Sequence, residues 1–348
     1  MDVIGSVSVI ILLFMFLPQL LQLRQESRSR HCSNNLRQLG LSLQNFESAR
    51  QKFPAATGFI SGRRKSVMSD RLSGFVAILP YLECGPQYEM ILAALEEQRA
   101  GETFDVIFEK EEADLWQTPP QFRCPDFGDL SRPMSTNYAF CIGDQSVGLH
   151  QPGRVRGAFT FGRGVKIREI SDGTAQTLLL AEVCSRGERR LGNANVAQGL
   201  PQSYLGAPLA IAPQLVDGGT HPSFLSRYSL EPLGRGGRAY DGAASYTLFQ
   251  TILPPNSPSF HTGDGPASDG LFSASSYHGD GVPVCFADGS TSYISADIDC
   301  GTAGPVTPVS GQASSDEIQN AASMPSPYGV WGAMGTINGS EAISEDAF

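Results

Sequence analysis

The chain has 348 residues, 41% of them hydrophobic and 17% charged, with 38 Gly, 23 Pro and a formal net charge of -10. That apolar fraction over that length excludes a wholly disordered chain and bounds the protein to one large or two small domains. Few charges and many turn-formers argue against a coiled coil or helical bundle, and a pI near 5.0 argues against nucleic acid as partner.

The net charge hides three unlike segments. Residues 1–72 carry +6, residues 73–130 carry -9 and residues 131–348 carry -7, with no Lys or Arg after Arg238. A basic start beside anionic lipid and an acidic far end in solvent would account for this polarity. Surface solubility of the acidic part would account for its share equally well.

In chain order, the first element is an apolar run. Val3 to Leu23 is 21 consecutive residues without a charge. At about 1.5 Å per residue it reaches roughly 30 Å, a bilayer's hydrocarbon thickness, and predicts a single-pass anchor. A cleavable signal peptide and a buried core helix are the alternatives. Asp2 and Phe16-Leu17-Pro18-Gln19 supply neither the basic start nor the small-residue cleavage site of a signal peptide.

Helical character then continues, because Leu36, Leu39, Leu43 and Phe46 recur at spacings of 3, 4 and 3. This predicts one long helix to about Arg50, kinked at Pro18 and stopped by Lys52-Phe53-Pro54. An apolar run at Phe75–Leu82 and an acidic helical stretch from about Tyr88 to Trp116 follow.

From Thr118 the chain reads as short strands cut by Gly, Pro and seven Asp-Gly turns. Val165–Ile170 alternates as a strand, and Thr177–Glu182 continues as a buried one. Residues 191–270 read as an insertion of loops and edge strands. Val282–Ala287 and Ser290–Ser295 read as a hairpin about Asp288-Gly289, with Phe286 facing Thr291 and Val284 facing Tyr293. Residues 302–326 are Ser-, Pro-, Ala- and Gly-rich and are expected to be loosely ordered.

Several blocks together resemble one family, the bacterial prepilin-type proteins with an H-x9-D-G motif, of unknown biochemical function. His278, nine residues, then Asp288-Gly289 match the naming motif. His31-Cys32-Ser33-Asn34-Asn35-Leu36 is similar to its Cys-x-Asn-Asn-Leu block, and Leu79-Pro80-Tyr81-Leu82-Glu83 to its Leu-Pro-Tyr-Leu-Glu block. Cys124-Pro125, Thr136-Asn137-Tyr138, Ile170-Ser171-Asp172-Gly173-Thr174 and Gly329-Val330-Trp331-Gly332-Ala333 complete the series in order. The resemblance implies an N-terminal organisation like that of type II secretion pseudopilins, with the head outside the cytoplasm. The processing site Gly-Phe-Thr-Leu-x-Glu that usually precedes the apolar run is missing. Arg24, Arg28 and Arg30 after the span would by themselves place the head inside.

No G-x-S-x-G elbow, H-E-x-x-H pair, Walker loop or EF-hand loop is present. Gly234-Arg235-Gly236-Gly237-Arg238 has the letters of a dinucleotide loop without its strand and helix, and reads as a turn. His278 with Asp288 could serve acid–base chemistry, but no nucleophile is placed beside them, and a tie to the hairpin is the better reading. Asp264, Asp269 and Asp280, with Asp288, are calcium candidates, though turn formation accounts for them. The seven cysteines lack any C-x-x-C spacing, which argues against zinc. Cys32 with Cys124, both within the family blocks, and Cys285 with Cys300 are candidate disulfides in an oxidising compartment. Small buried hydrophobes are the other reading.

The expected protein is α+β, with a long N-terminal helix packed on a mainly antiparallel, loop-rich head. An anchor at 1–23, a helical stalk at 24–53, a head at 54–335 and a tail at 336–348 are its parts. Its expected role is a non-catalytic, pseudopilin-like assembly protein of the inner membrane, without cofactor. Membrane, other envelope proteins or further copies of itself are its expected partners. An anchored head that binds a solute, a glycan or calcium is the alternative.

Overall fold

The computed structural model describes residues 30–58, 71–96, 115–127, 132–151, 155–185, 190–301 and 323–341. The expected span at Val3–Leu23, the kink at Pro18 and most of the loosely ordered stretch 302–326 lie outside these residues. Among the described residues no helix is long and apolar enough to cross a membrane.

Helix α1 covers residues 30–50, and its stripe behaves as the spacing predicts: Leu36, Leu39, Leu43 and Phe46 are all buried. Leu41, on the opposite side, stays 59% exposed. Gln51 takes a left-handed φ of 59° and ends the helix two residues ahead of Phe53-Pro54. Helix α2 (Gly74–Ile78) is capped by Ser73, whose Oγ accepts from Phe75 N, and leads into a 3-10 turn at Leu79–Leu82. Tyr81 from that turn meets Phe46 edge-on at 5.8 Å, so α1 and α2 share one layer. Helix α3 (Gly85–Glu96) is the described part of the acidic helical stretch.

The strands are β1 (Tyr138–Cys141), β2 (Leu178–Glu182), β3 (Val196–Ala197), β4 (Leu248–Phe249), β5 (Ser259–His261), β6 (Gly270–Leu271), β7 (Gly281–Phe286) and β8 (Thr291–Ser295). They form a five-stranded sheet of order β4-β1-β2-β7-β8 and a three-stranded sheet of order β3-β5-β6. Both sheets are mixed, since β1–β4 and β3–β5 pair in parallel and the other pairs are antiparallel. The insertion 191–270 supplies β3 and β4, each at the edge of a sheet, and β5, in the middle of the smaller one, and Leu200, Leu205, Leu215, Phe224 and Phe260 pack in a hydrophobic cluster of their own.

The large sheet is covered on both faces. Tyr138, Phe140, Leu180 and Cys285 face α1, whereas Ala139, Cys141, Ala181, Val284 and Phe286 face the opposite cluster around Trp331 of helix α4 (Gly329–Gly335). Strand β2 breaks simple alternation, because its register against β7 shifts between Leu178 and Leu180. This bulge turns both Leu179 and Leu180 toward the α1 side and so carries Glu182 to that side as well.

Two local readings are corrected. Val165–Ile170 is not a strand; Ile167–Glu169 forms a 3-10 turn, held by Glu169 Oε1 accepting from Lys166 N at 3.0 Å and by Arg163 at 2.7 Å. Local side-chain acceptors there outcompete strand pairing. The β7–β8 hairpin exists, but Cys285 faces Thr291 and Pro283 faces Tyr293, one residue away from the expected register. Gly289 at φ 85° and the bond from Phe286 N to Ser290 O at 2.9 Å close a three-residue loop rather than a two-residue one. The described part of the expected tail packs on the head: Ser171 N donates to Ile337 O, and Asp172 accepts from Gly339 N and Ser340 N.

Helix α1 lies close on β7 at Gly40. A Cβ there would stand 2.6 Å from Cys285 Sγ. Gly40→Val is expected to lower stability by about 1–3 kcal/mol through overpacking, read as a fall in the urea midpoint. Helix propensity alone would favour replacing glycine by about 1 kcal/mol or less. An unchanged or raised midpoint would show that the close approach is not needed.

Candidate functional site

Four segments far apart in sequence meet where the first described turn of α1 passes the end of β2. Cys32 comes from α1, Cys124 from the loop after the 3-10 turn at Pro120–Phe122, Glu182 from the last position of β2, and His278 from the chain just before β7. One ligand atom from each lies within 4.8 Å of all the others, and all four residues are buried. Cys32 Sγ stands 2.7 Å from Cys124 Sγ, and His278 Nε2 stands 3.3 Å and 3.1 Å from the two sulfurs.

The surrounding groups hold these side chains in place. Asn137 Oδ1 accepts from Cys124 N at 2.9 Å while its Nδ2 donates to Val183 O and Ser185 Oγ, so one side chain joins the cysteine loop to β2. Asn35 Nδ2 donates to Arg123 O at 2.8 Å, and Tyr138 Oη donates to Cys32 O at 3.3 Å. His278 Nδ1 lies 3.1 Å from Asp126 Oδ2. Glu182 Oε2 accepts from Ser276 Oγ at 3.2 Å, but Oε1 has no hydrogen-bond partner.

The electrostatics follow from burial and crowding. Burial, reinforced by Cys124, holds the Glu182 carboxyl well above the usual carboxylate range. The hydrogen bond with Cys32 and then burial push the Cys124 thiol upward. Burial pulls the His278 imidazole down, but the hydrogen bond with Cys124 and the charges of Glu182, Cys124 and Asp126 outweigh it, and the net shift is upward. Two sulfurs, an imidazole nitrogen and a carboxylate oxygen form a donor set that a soft cation could use.

The other sequence-derived candidates fall elsewhere. Asp288 and Gly289 lie at the far end of β7 from His278, so the motif is not an acid–base pair. Asp288 Oδ1 accepts from Ser290 N at 2.8 Å and Ser290 Oγ at 2.6 Å. The turn docks on α1 through Gln44 Nε2, which donates to Ala287 O. The motif's spacing thus has a geometric reason. Strand β7 with 6 residues spans roughly 20 Å, and α1 covers roughly 18 Å from Cys32 to Gln44. His278 therefore meets one end of the described helix and Asp288-Gly289 packs further along it.

Asp264, Asp269 and Asp280 do not join the buried cluster. Asp264 and Asp280 are exposed, and Asp269 Oδ1 accepts from Leu149 N. All seven cysteines are free. Cys32 and Cys124 lie side by side without a bond, whereas Cys285 packs on the α1 side of the sheet and Cys300 in the cluster around Trp331, so neither candidate bridge is present. Arg235, read as part of a plain turn, is wholly buried and reaches four main-chain carbonyls.

Glu182 and Asp126 escaped the sequence reading. For Glu182 a signal existed: an acid closing the apolar run Leu178-Leu179-Leu180-Ala181 must find a buried partner. No spacing pointed to Asp126. Zinc spacing within a short motif is absent, but the fold brings together cysteines separated by 92 positions.

A family model described as "Protein of unknown function (DUF1559)" matches residues 22–301. The chain belongs to that family. No curated protein and no solved structure matches it.

Proposed function

We propose that this member of the DUF1559 family is a prepilin-type, H-x9-D-G protein that acts as a membrane-anchored, pseudopilin-like assembly protein of the cell envelope. The observation that carries this reading is α1, whose apolar stripe Leu36, Leu39, Leu43 and Phe46 is buried on the large sheet. In sequence this helix is preceded by the uncharged run Val3–Leu23. A helix with one half in lipid and the other half as the spine of the head transmits position from the membrane to the head without chemistry of its own. The head stands outside the cytoplasm, and its contacts are with other envelope proteins or further copies of itself.

Fractionation of the full chain tests this. The protein is expected in the membrane pellet and to stay there through an alkaline carbonate wash, with the head cut by protease added outside intact spheroplasts. Recovery in the soluble fraction, or a head protected until the cells are lysed, would overturn the anchor or its orientation respectively. Cross-linking that recovers monomer alone would count against assembly.

A second reading, an anchored head that binds a solute, is favoured by one observation. A groove of about 1030 Å³ opens beside the start of α1, lined by His31, Asn35, Gln87, Met90, Gln121 and Arg123 among others. Amide and guanidinium groups on an apolar wall suit a polar small molecule. A screen of sugars and calcium separates the two readings, since a specific ligand raises the melting temperature.

A further inference from the structure

We propose that Cys32, Cys124, Glu182 and His278 bind one structural zinc ion, which staples α1 to the strands of the head. This inference does not rest on the membrane anchor.

The donor set is the first argument. Two thiolates, an imidazole and a carboxylate select zinc among common biological cations, whereas calcium and magnesium take oxygen donors. Four protein donors with every residue buried make a closed site, the structural rather than the catalytic kind. Tetrahedral zinc, with bonds of about 2.0–2.3 Å, separates its donors by roughly 3.3–3.8 Å. His278 Nε2 stands 3.1 Å and 3.3 Å from the two sulfurs, just short of and at the lower end of that range. The sulfurs, at 2.7 Å, would part by about 1 Å, within reach of a small rotation of one thiol side chain. On binding, both thiols, and the Glu182 carboxyl when it is protonated, give up their protons to solvent and the metal takes their place.

The second argument is what else the cluster leaves open. Glu182 Oε1 is buried without a hydrogen-bond partner and lies in the same group as the two sulfurs. A disulfide between Cys32 and Cys124 would use two of the four groups and leave this oxygen unsatisfied. A cation uses all four. The supporting groups also suit a metal site: Asp126 Oδ2 stands 3.1 Å from His278 Nδ1, near but out of line for a hydrogen bond, Ser276 Oγ holds the other Glu182 oxygen at 3.2 Å, and Asn137 fixes the backbone of Cys124.

Elemental analysis of the natively isolated full chain tests the proposal, followed by titration of chelator-stripped protein with Zn²⁺ and Co²⁺. The expected result is about one zinc per chain, a melting temperature that falls on chelation and returns with zinc, and a tetrahedral cobalt spectrum with thiolate charge-transfer absorption. Glu182→Gln removes a ligand and keeps the shape of the side chain, so it is expected to fold, by circular dichroism, while losing most of the zinc. Asp126→Asn, which acts through His278, is expected to weaken zinc binding about 10–100-fold. A Cys32–Cys124 disulfide in native peptide maps, free thiols without metal, or full zinc occupancy in Cys32→Ser would each overturn the site.

Discussion

Replacing Arg235 with methionine is expected to destabilise the head by about 4 kcal/mol or more, against a typical total of about 5–15 kcal/mol. The guanidinium is wholly buried and donates to Ala244 O and Ser245 O through Nη1 and to Leu248 O and Ser273 O through Nη2, at 2.9–3.2 Å. Its carbon also lies 5.5 Å from the Phe272 ring centre. Burial lowers it to about 9, which still leaves it charged at neutral pH. Methionine fills similar space and supplies no donor, so the four carbonyls lose this partner where water cannot replace it, at about 1–3 kcal/mol for each left unsatisfied. Lysine has one compact ammonium in place of a planar fork and is expected to recover only part of the loss. Urea unfolding reads the effect as a lower midpoint at unchanged slope. A Met variant within about 1 kcal/mol of the parent would mean that these bonds do not hold the loop in place.

The neighbouring glycine explains why this arginine can reach so far inside. Gly236 has φ 62°, and a Cβ there would stand 2.0 Å from Thr136 O. The backbone therefore passes against the residues just before β1 at a distance only glycine permits, and it delivers Arg235 between β4 and the segment around Ser273.

Trp331→Ala is expected to cost about 3–5 kcal/mol. The indole is fully buried on the sheet face away from α1, stacks on Phe249 at 6.4 Å between ring centres, and donates from Nε1 to Leu253 O at 3.0 Å. Alanine leaves a cavity against Ala139, Val284 and Phe286 and removes the donor to a buried carbonyl. Trp331→Phe keeps most of the ring and loses the hydrogen bond, so a smaller loss of about 1–2 kcal/mol is expected. Equal losses in the two variants would assign the whole effect to the hydrogen bond; a fully tolerated alanine would show that α4 does not support the sheet.

What could be read from the chain alone was whatever has a local period. The Leu36, Leu39, Leu43 and Phe46 stripe, the buried strand ending at Glu182 and the hairpin about Asp288-Gly289 all came from spacing, and all three are present. Register was beyond that kind of evidence. Whether a turn closes with two residues or three depends on which backbone bonds form, and the difference of one residue moves Phe286 from facing Thr291 to facing Ser290. Asp-Gly pairs likewise look alike in sequence, yet Asp241 is buried against Arg71 at 2.8 Å while Asp288 sits exposed in its turn.

The sequence by itself determined the uncharged run, the polarity of charge, the amphipathic helix, the buried strand ending at Glu182 and the final hairpin, because each depends on residues within a few positions of one another. Only the tertiary structure decided that Cys32, Cys124, Glu182 and His278 share one site, and that the bulge in β2 turns Glu182 toward it. Such a site is made of four contacts across the fold, and the sheet order and strand register that create them are set by packing, which leaves no period in the chain. The buried carboxylate and arginine contribute little to the net charge of -10, yet they are where the fold concentrates its polar contacts.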